Sequence, residues 1–209
     1  MEIKHILPSD IEKESFRIIK SELNEMGKVI PLELEPTVIR VVHTTADFEY
    51  ADTLVFSDNV IEKAKDAIKR GAHIVTDTNM ALSGISRKTL EKYGGEVHCF
   101  MADDDVAKLS KERQVTRAYI SMEKAARIEK PLIFAIGNAP TALIKLRELI
   151  DNENFRPELI IGVPVGFVNV VEAKELILET DIPYIINRGR KGGSGVAAAI
   201  CNSILYNII

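Results

Sequence analysis

The chain has 209 residues, with 46% hydrophobic, 28% charged, 12 glycines and 8 prolines, a composition that excludes disordered, low-complexity and collagen-like chains and suits one domain over 1–209. Lys and Arg number 27 against 31 Asp and Glu, a net charge of −4, so no general attraction draws the chain to nucleic acid or an anionic membrane. Two cysteines and no apolar run approaching about 20 residues exclude a disulfide scaffold, a signal peptide and a membrane span, and lead us to expect a soluble, cytoplasmic protein.

Ser9-Asp-Ile-Glu12, just after Pro8, is a capping-box pattern, and helical periodicity follows from Asp10 to Met26 until Gly27 stops it. Pro36 opens a second helix as its first residue, carrying Thr37 to Ala46. From there short β-branched runs alternate with amphipathic stretches. Thr53–Phe56, His73–Thr76, Glu96–Phe100, Leu132–Ile136, Glu158–Gly162 and Tyr184–Asn187 read as strands. Asn59–Arg70, Ser86–Tyr93, Thr141–Asp151, Val170–Glu179 and Val196–Tyr206 read as helices. Nearly continuous apolar strands imply a sheet covered on both faces. The expected fold is α/β with three layers: a mostly parallel sheet flanked by helices, and two N-terminal helices before the first strand.

The segment Val38-Ile-Arg-Val-Val-His-Thr-Thr-Ala-Asp47 sets Arg40, His43, Thr44 and Asp47 at helical spacings of three and four, on one face. Imidazole titrates near neutral pH, so a histidine between an arginine and a carboxylate suits general acid–base work. A solvated polar face with a partly buried histidine explains the same spacing.

Four loops after strands carry small or polar residues: Thr76–Asn79, Gly137–Pro140, Gly162–Phe167 and Asn187–Gly195. In an open α/β sheet such loops form the binding crevice, with helix N-termini facing it. Asn138, two residues before Pro140, is placed as a helix cap. The last loop sets Arg188, Arg190 and Lys191 among four glycines. It matches neither a Walker loop nor the dinucleotide fingerprint, which leaves an anion of another shape or a solvated basic turn.

Metal chemistry has little support, because His5, His43, His73 and His98 are scattered and show no paired ligand spacing. His73, His98 and Cys99 are expected to pack as core residues. Asp103-Asp-Asp105 could hold a hard cation, but a solvated loop or a helix start is the favoured reading. No nucleophile elbow is present.

Six segments in order resemble the precorrin-8X methylmutase family of corrinoid biosynthesis. They are Glu14-Ser-Phe-Arg17, Arg40-Val-Val-His-Thr-Thr-Ala-Asp47, Asp77-Thr-Asn-Met-Ala-Leu-Ser-Gly84, Gly137-Asn-Ala-Pro-Thr-Ala-Leu143, Gly162-Val-Pro-Val-Gly-Phe-Val-Asn169 and Gly189-Arg-Lys-Gly-Gly-Ser-Gly195. The stretch 101–115 has no matched counterpart. The resemblance implies an isomerase that moves a methyl group from C11 to C12 of precorrin-8X or cobalt-precorrin-8, giving hydrogenobyrinic or cobyrinic acid. It implies that His43 carries the proton and that Arg17, Arg40, Thr116 and Arg117 contact the substrate. Asn138, Arg190 and Lys191 join them as binding candidates from the loops. No cofactor and no protein metal site are expected, any cobalt arriving in the substrate. The family assembles as homodimers, so a two-fold pair is expected here. A corrinoid carrier without catalysis and a nucleotide-dependent α/β enzyme are the competing expectations.

Overall fold

The computed structural model describes residues 7–208, apart from the side chain of Ser9. A 3-10 turn (Pro8–Asp10) leads into α1 (Ile11–Glu25), α2 (Glu35–Thr45), α3 (Tyr50–Thr53) and β1 (Leu54–Phe56). Then come α4 (Val60–Lys69), β2 (His73–Thr76), α5 (Asn79–Gly84), α6 (Arg87–Glu91) and β3 (Val97–His98). The chain continues through α7 (Asp104–Arg113), α8 (Arg117–Ala125), β4 (Leu132–Ile136) and α9 (Pro140–Glu153). It closes with β5 (Leu159–Gly162), α10 (Val170–Leu178), β6 (Tyr184–Asn187) and α11 (Ser194–Tyr206).

The strands form one sheet in the order β1-β6-β5-β4-β2-β3. All neighbours are parallel except β1, which pairs antiparallel with β6 through Leu54–Asn187 and Phe56–Ile185. All five residues of β4 and all four of β5 are buried, because helices cover both faces. Both edge strands are short, at three residues for β1 and two for β3, which limits the unpaired backbone offered to other chains.

Side chains alternate across each strand, so two cores form. Ile74, Ile133 and Ile161 face the side of α2, α4 and α11. Val75, Phe134 and Ile160 face α8, α9 and α10. Helix α11 is buried on nearly all sides, as a helix sandwiched between a sheet and another helix must be. Its alanines 197–199 let neighbours approach: a Cβ added to Gly84 would lie 2.9 Å from Ala198 Cβ. Helix α2 packs on α11 and α1 packs on α2, so the N-terminal helices add an outer layer on this side.

Several local expectations are corrected. Helix α1 starts after Asp10 without a side-chain cap bond, and the Glu12 carboxylate accepts from Arg40 instead, at 3.1 Å. The Ser9 side chain and His5 lie outside the described residues. Pro36 is the second residue of its helix, not the first. Among the described residues α3, α5 and α8 escaped the sequence reading, and α7 was offered only as a helix start at Asp103–Asp105. Helix α8 buries Ala118, Ile120, Ser121, Met122 and Ala125, a face at helical spacing that the sequence reading passed over. Helix α7 buries only Val106. Asp103–Asp105 opens α7, and Lys124 pairs with Asp103 at 2.7 Å and Asp105 at 2.8 Å. Cys99 is half-buried rather than buried, whereas burial pushes the Cys201 thiol up to about 12.

Candidate active site

Strand order reverses direction between β2 and β4, where one following helix, α5, goes to the α11 side and the other, α9, to the opposite side. An open α/β sheet forms its crevice at such a switch point. Here Asp77, the residue after β2, is fully buried. Its carboxylate accepts from the backbone N–H groups of Gly137 at 2.9 Å, Asn138 at 2.8 Å and Ala139 at 2.6 Å. The backbone donors of the turn that leads into α9 are thus taken by the protein itself. Burial raises the Asp77 pKa, and the three donors oppose that rise. The cap expected from Asn138 is therefore made by Asp77: Asn138 is exposed, and the α9 cap position is Ala139, with no side-chain cap bond.

The four loops do converge. Thr78 Oγ1 meets Ser194 Oγ at 2.8 Å, Gly193 N–H donates to Val163 O at 2.9 Å, and Gly166 N–H donates to Arg190 O at 3.2 Å. Two glycines are required by close approach: a Cβ at Gly137 would lie 2.7 Å from Ser194 Cα, and one at Gly192 would lie 2.0 Å from Val163 O. Lys174 lies beneath the basic loop. It is fully buried, and its ammonium donates to Gly189 O at 2.7 Å and Lys191 O at 2.9 Å. Burial lowers its pKa to about 8.

Helix α2 runs antiparallel to α11, as shown by the Thr37–Ser203 hydroxyl contact of 2.8 Å at one end and the approach of Thr44 to Gly195 at the other. That packing delivers the C-terminus of α2, with His43, to the loop edge. His43 is exposed, and its ring sits edge-on to Phe16 at 5.2 Å between centroids. Arg40 lies between the rings of Phe16 at 5.1 Å and Tyr206 at 5.0 Å, with Glu12 on its guanidinium. Asp47 is not on the helical face with His43: α2 ends at Thr45, and Ala46 turns left-handed at φ 53°. Asp47 instead pairs with Lys191 at 2.5 Å, and Glu49 joins at 2.8 Å. The Lys191 contact pulls the Asp47 pKa below the ordinary range, and the two carboxylates raise that of Lys191.

The other expected binding residues fall at different points of this surface. Arg17 is exposed and bonded to Glu14. Thr116 accepts from Tyr119 N–H at 3.2 Å as the α8 cap and meets Thr141 of α9 at 2.7 Å, which brings Arg117 beside the Asn138 loop. Arg190 stacks over Phe167 at 5.4 Å. Large apolar side chains are also exposed on these loops: Phe167 at 82%, Val168 at 76% and Met80 at 73%. Away from these loops, a cavity of about 510 Å³ runs from Leu34 to the β1–α4 turn. Its lining includes Glu33, Asp58 and Glu62, the wrong sign for a carboxylate-rimmed ligand.

Sequence reasoning missed Asp77 as the internal cap and Lys174 as the loop anchor. The second had a visible signal, since Lys174 falls four residues after Val170 and three before Ile177, on the buried stripe of α10.

This arrangement is a doubly wound α/β scaffold whose loops meet at the strand ends, with Asp77 holding the turn at the switch point and cations and apolar side chains exposed along the rim. Residues 10–207 match the family model of precorrin-8X methylmutase, and the chain belongs to that family. It is 42% identical to the cobalt-precorrin-8 methylmutase of Priestia megaterium, over 95% of this chain and 88% of that one. The cobalt-precorrin-8 methylmutase of Salmonella typhimurium is 41% identical over 96% of both. The crystal structure of precorrin-8X methylmutase from Thermus thermophilus superposes with a TM-score of 0.84 at 37% identity, covering 94% of this chain and 96% of that one. Among the described residues no helix is long and apolar enough to cross a membrane.

Proposed function

We propose that this chain is an isomerase of cobalamin biosynthesis that moves the methyl group from C11 to C12 of precorrin-8X or cobalt-precorrin-8, with His43 as proton carrier. The observation that carries the reading is the delivery of His43, exposed, to the loop edge by the antiparallel packing of α2 on α11. The substrate is a broad apolar macrocycle rimmed by carboxylates. It needs wide apolar contact and scattered cations rather than a phosphate cradle. Phe167, Val168 and Met80 supply the first, and Arg17, Arg117, Arg190 and Lys191 the second. Arg40, held between two rings, positions Phe16 and through it the imidazole.

Protonation of the macrocycle next to the migrating group draws electrons from the conjugated system and lowers the barrier to the shift; the same imidazole removes the proton afterwards. The methyl group stays within one molecule, so no donor and no bound cofactor enter the scheme, and any cobalt belongs to the substrate. The chain acts as one unit over 1–209, in the cytoplasm, as a homodimer whose second copy covers part of the exposed apolar edge.

The decisive assay mixes the purified chain with cobalt-precorrin-8, and separately with precorrin-8X, and follows the absorbance spectrum. Conversion of at least one precursor, with multiple turnovers, is the expected result. A precursor that binds tightly but keeps its structure would make the chain a carrier.

A further inference from the structure

Two histidines on the opposite side of the sheet from His43 have no part in this chemistry. His73 opens β2 and His98 ends β3, and Val75 pairs with His98 in register. His73, Val75 and His98 thus project to the α8–α9 side. The ring nitrogens face each other, His73 Nδ1 to His98 Nε2, at 2.8 Å with the ring planes 16° apart. The Glu96 carboxylate projects to the same side, with Oε2 3.9 Å from His98 Nε2. Ligand atoms of all three residues lie within 4.8 Å of one another.

We propose that His73, His98 and Glu96 form a binding site for a divalent transition-metal ion of the zinc class, tying edge strand β3 to β2. Two imidazoles and one carboxylate are a donor set that holds zinc and leaves its fourth position to water. An ion about 2.05 Å from both nitrogens spans their 2.8 Å separation at about 86°, and opening to the tetrahedral angle parts them by roughly 0.5 Å. Ring rotation supplies that movement. His73 is 8% exposed and fixed in the sheet, and Phe100 stacks on His98 at 5.7 Å, so two ligands are preorganised. Glu96 is exposed and free to close over the ion. The sequence reading missed this site because the two histidines stand 25 residues apart and only strand pairing joins them.

Isothermal titration of Zn²⁺ into the metal-free full chain tests the site. One equivalent should bind with a rise in melting temperature, and His43→Gln should bind as the parent does. His98→Gln should weaken binding by at least about a hundredfold, and Glu96→Gln, an exposed change that leaves the core intact, by about tenfold. No stoichiometric binding by the parent, or parent-like affinity in either His98→Gln or Glu96→Gln, overturns the proposal.

Discussion

Two regions of the loop edge handle polar groups in opposite ways. At the switch point between β2 and β4, the backbone N–H groups of Gly137, Asn138 and Ala139 are all taken by the buried Asp77 carboxylate. At the α2–basic loop rim, His43, Arg17, Arg190 and Phe167 stand exposed. The first region is scaffold, and the second is the surface to which the proposed function assigns the ligand. Under the proposed function recognition falls to the rim rather than the switch point, because width and scattered charge serve a large flat molecule better.

The contrast is broken most forcefully by Asp77→Ala. Three buried N–H groups lose their acceptor, so stability should fall by about 3 kcal/mol, read from a denaturant midpoint. A change near zero would mean that Asp77 is dispensable to the scaffold. Phe167→Ser tests the rim in the reverse sense. Stability should stay within about 0.5 kcal/mol while substrate affinity falls about tenfold, measured by fluorescence or absorbance titration. Unchanged affinity would remove the apolar rim from the site.

Lys174→Met sharpens the boundary between the regions, since Lys174 is scaffold in placement and rim in effect. Loss of the bonds to Gly189 O and Lys191 O loosens the basic loop, and KM should rise about fivefold with kcat less affected. The smallest effect is a pH dependence. The Lys174 pKa is lowered to about 8 from 10.5, so the unfolded chain binds more protons between those values. Stability of the parent should therefore rise across that window, and the Lys174→Met chain should lack the slope.

Among the described residues all six strands and seven of the eleven helices were legible in the sequence, because continuous apolar runs bounded by turn residues mark elements buried by a sheet. Helix α8 was passed over although Ile120 and Met122 are buried with Ala118, Ser121 and Ala125 on its inner face. The candidate rim was legible as loops and side chains and not as pairings. The loops and His43 could be singled out, but the spacing from His43 to Asp47 suggested a partner that the left-handed turn at Ala46 takes away. Pairings such as Asp77 with Gly137, or Asp47 with Lys191, join residues 60 and 144 positions apart, and only the tertiary fold fixes them.

The most direct measurement compares the parent and His43→Ala in a single turnover, with enzyme in excess over cobalt-precorrin-8. The rate of methyl migration should drop by about a hundredfold to ten-thousandfold while the dissociation constant stays within a few-fold of the parent. Migration at the parental rate in the His43→Ala chain would contradict the account.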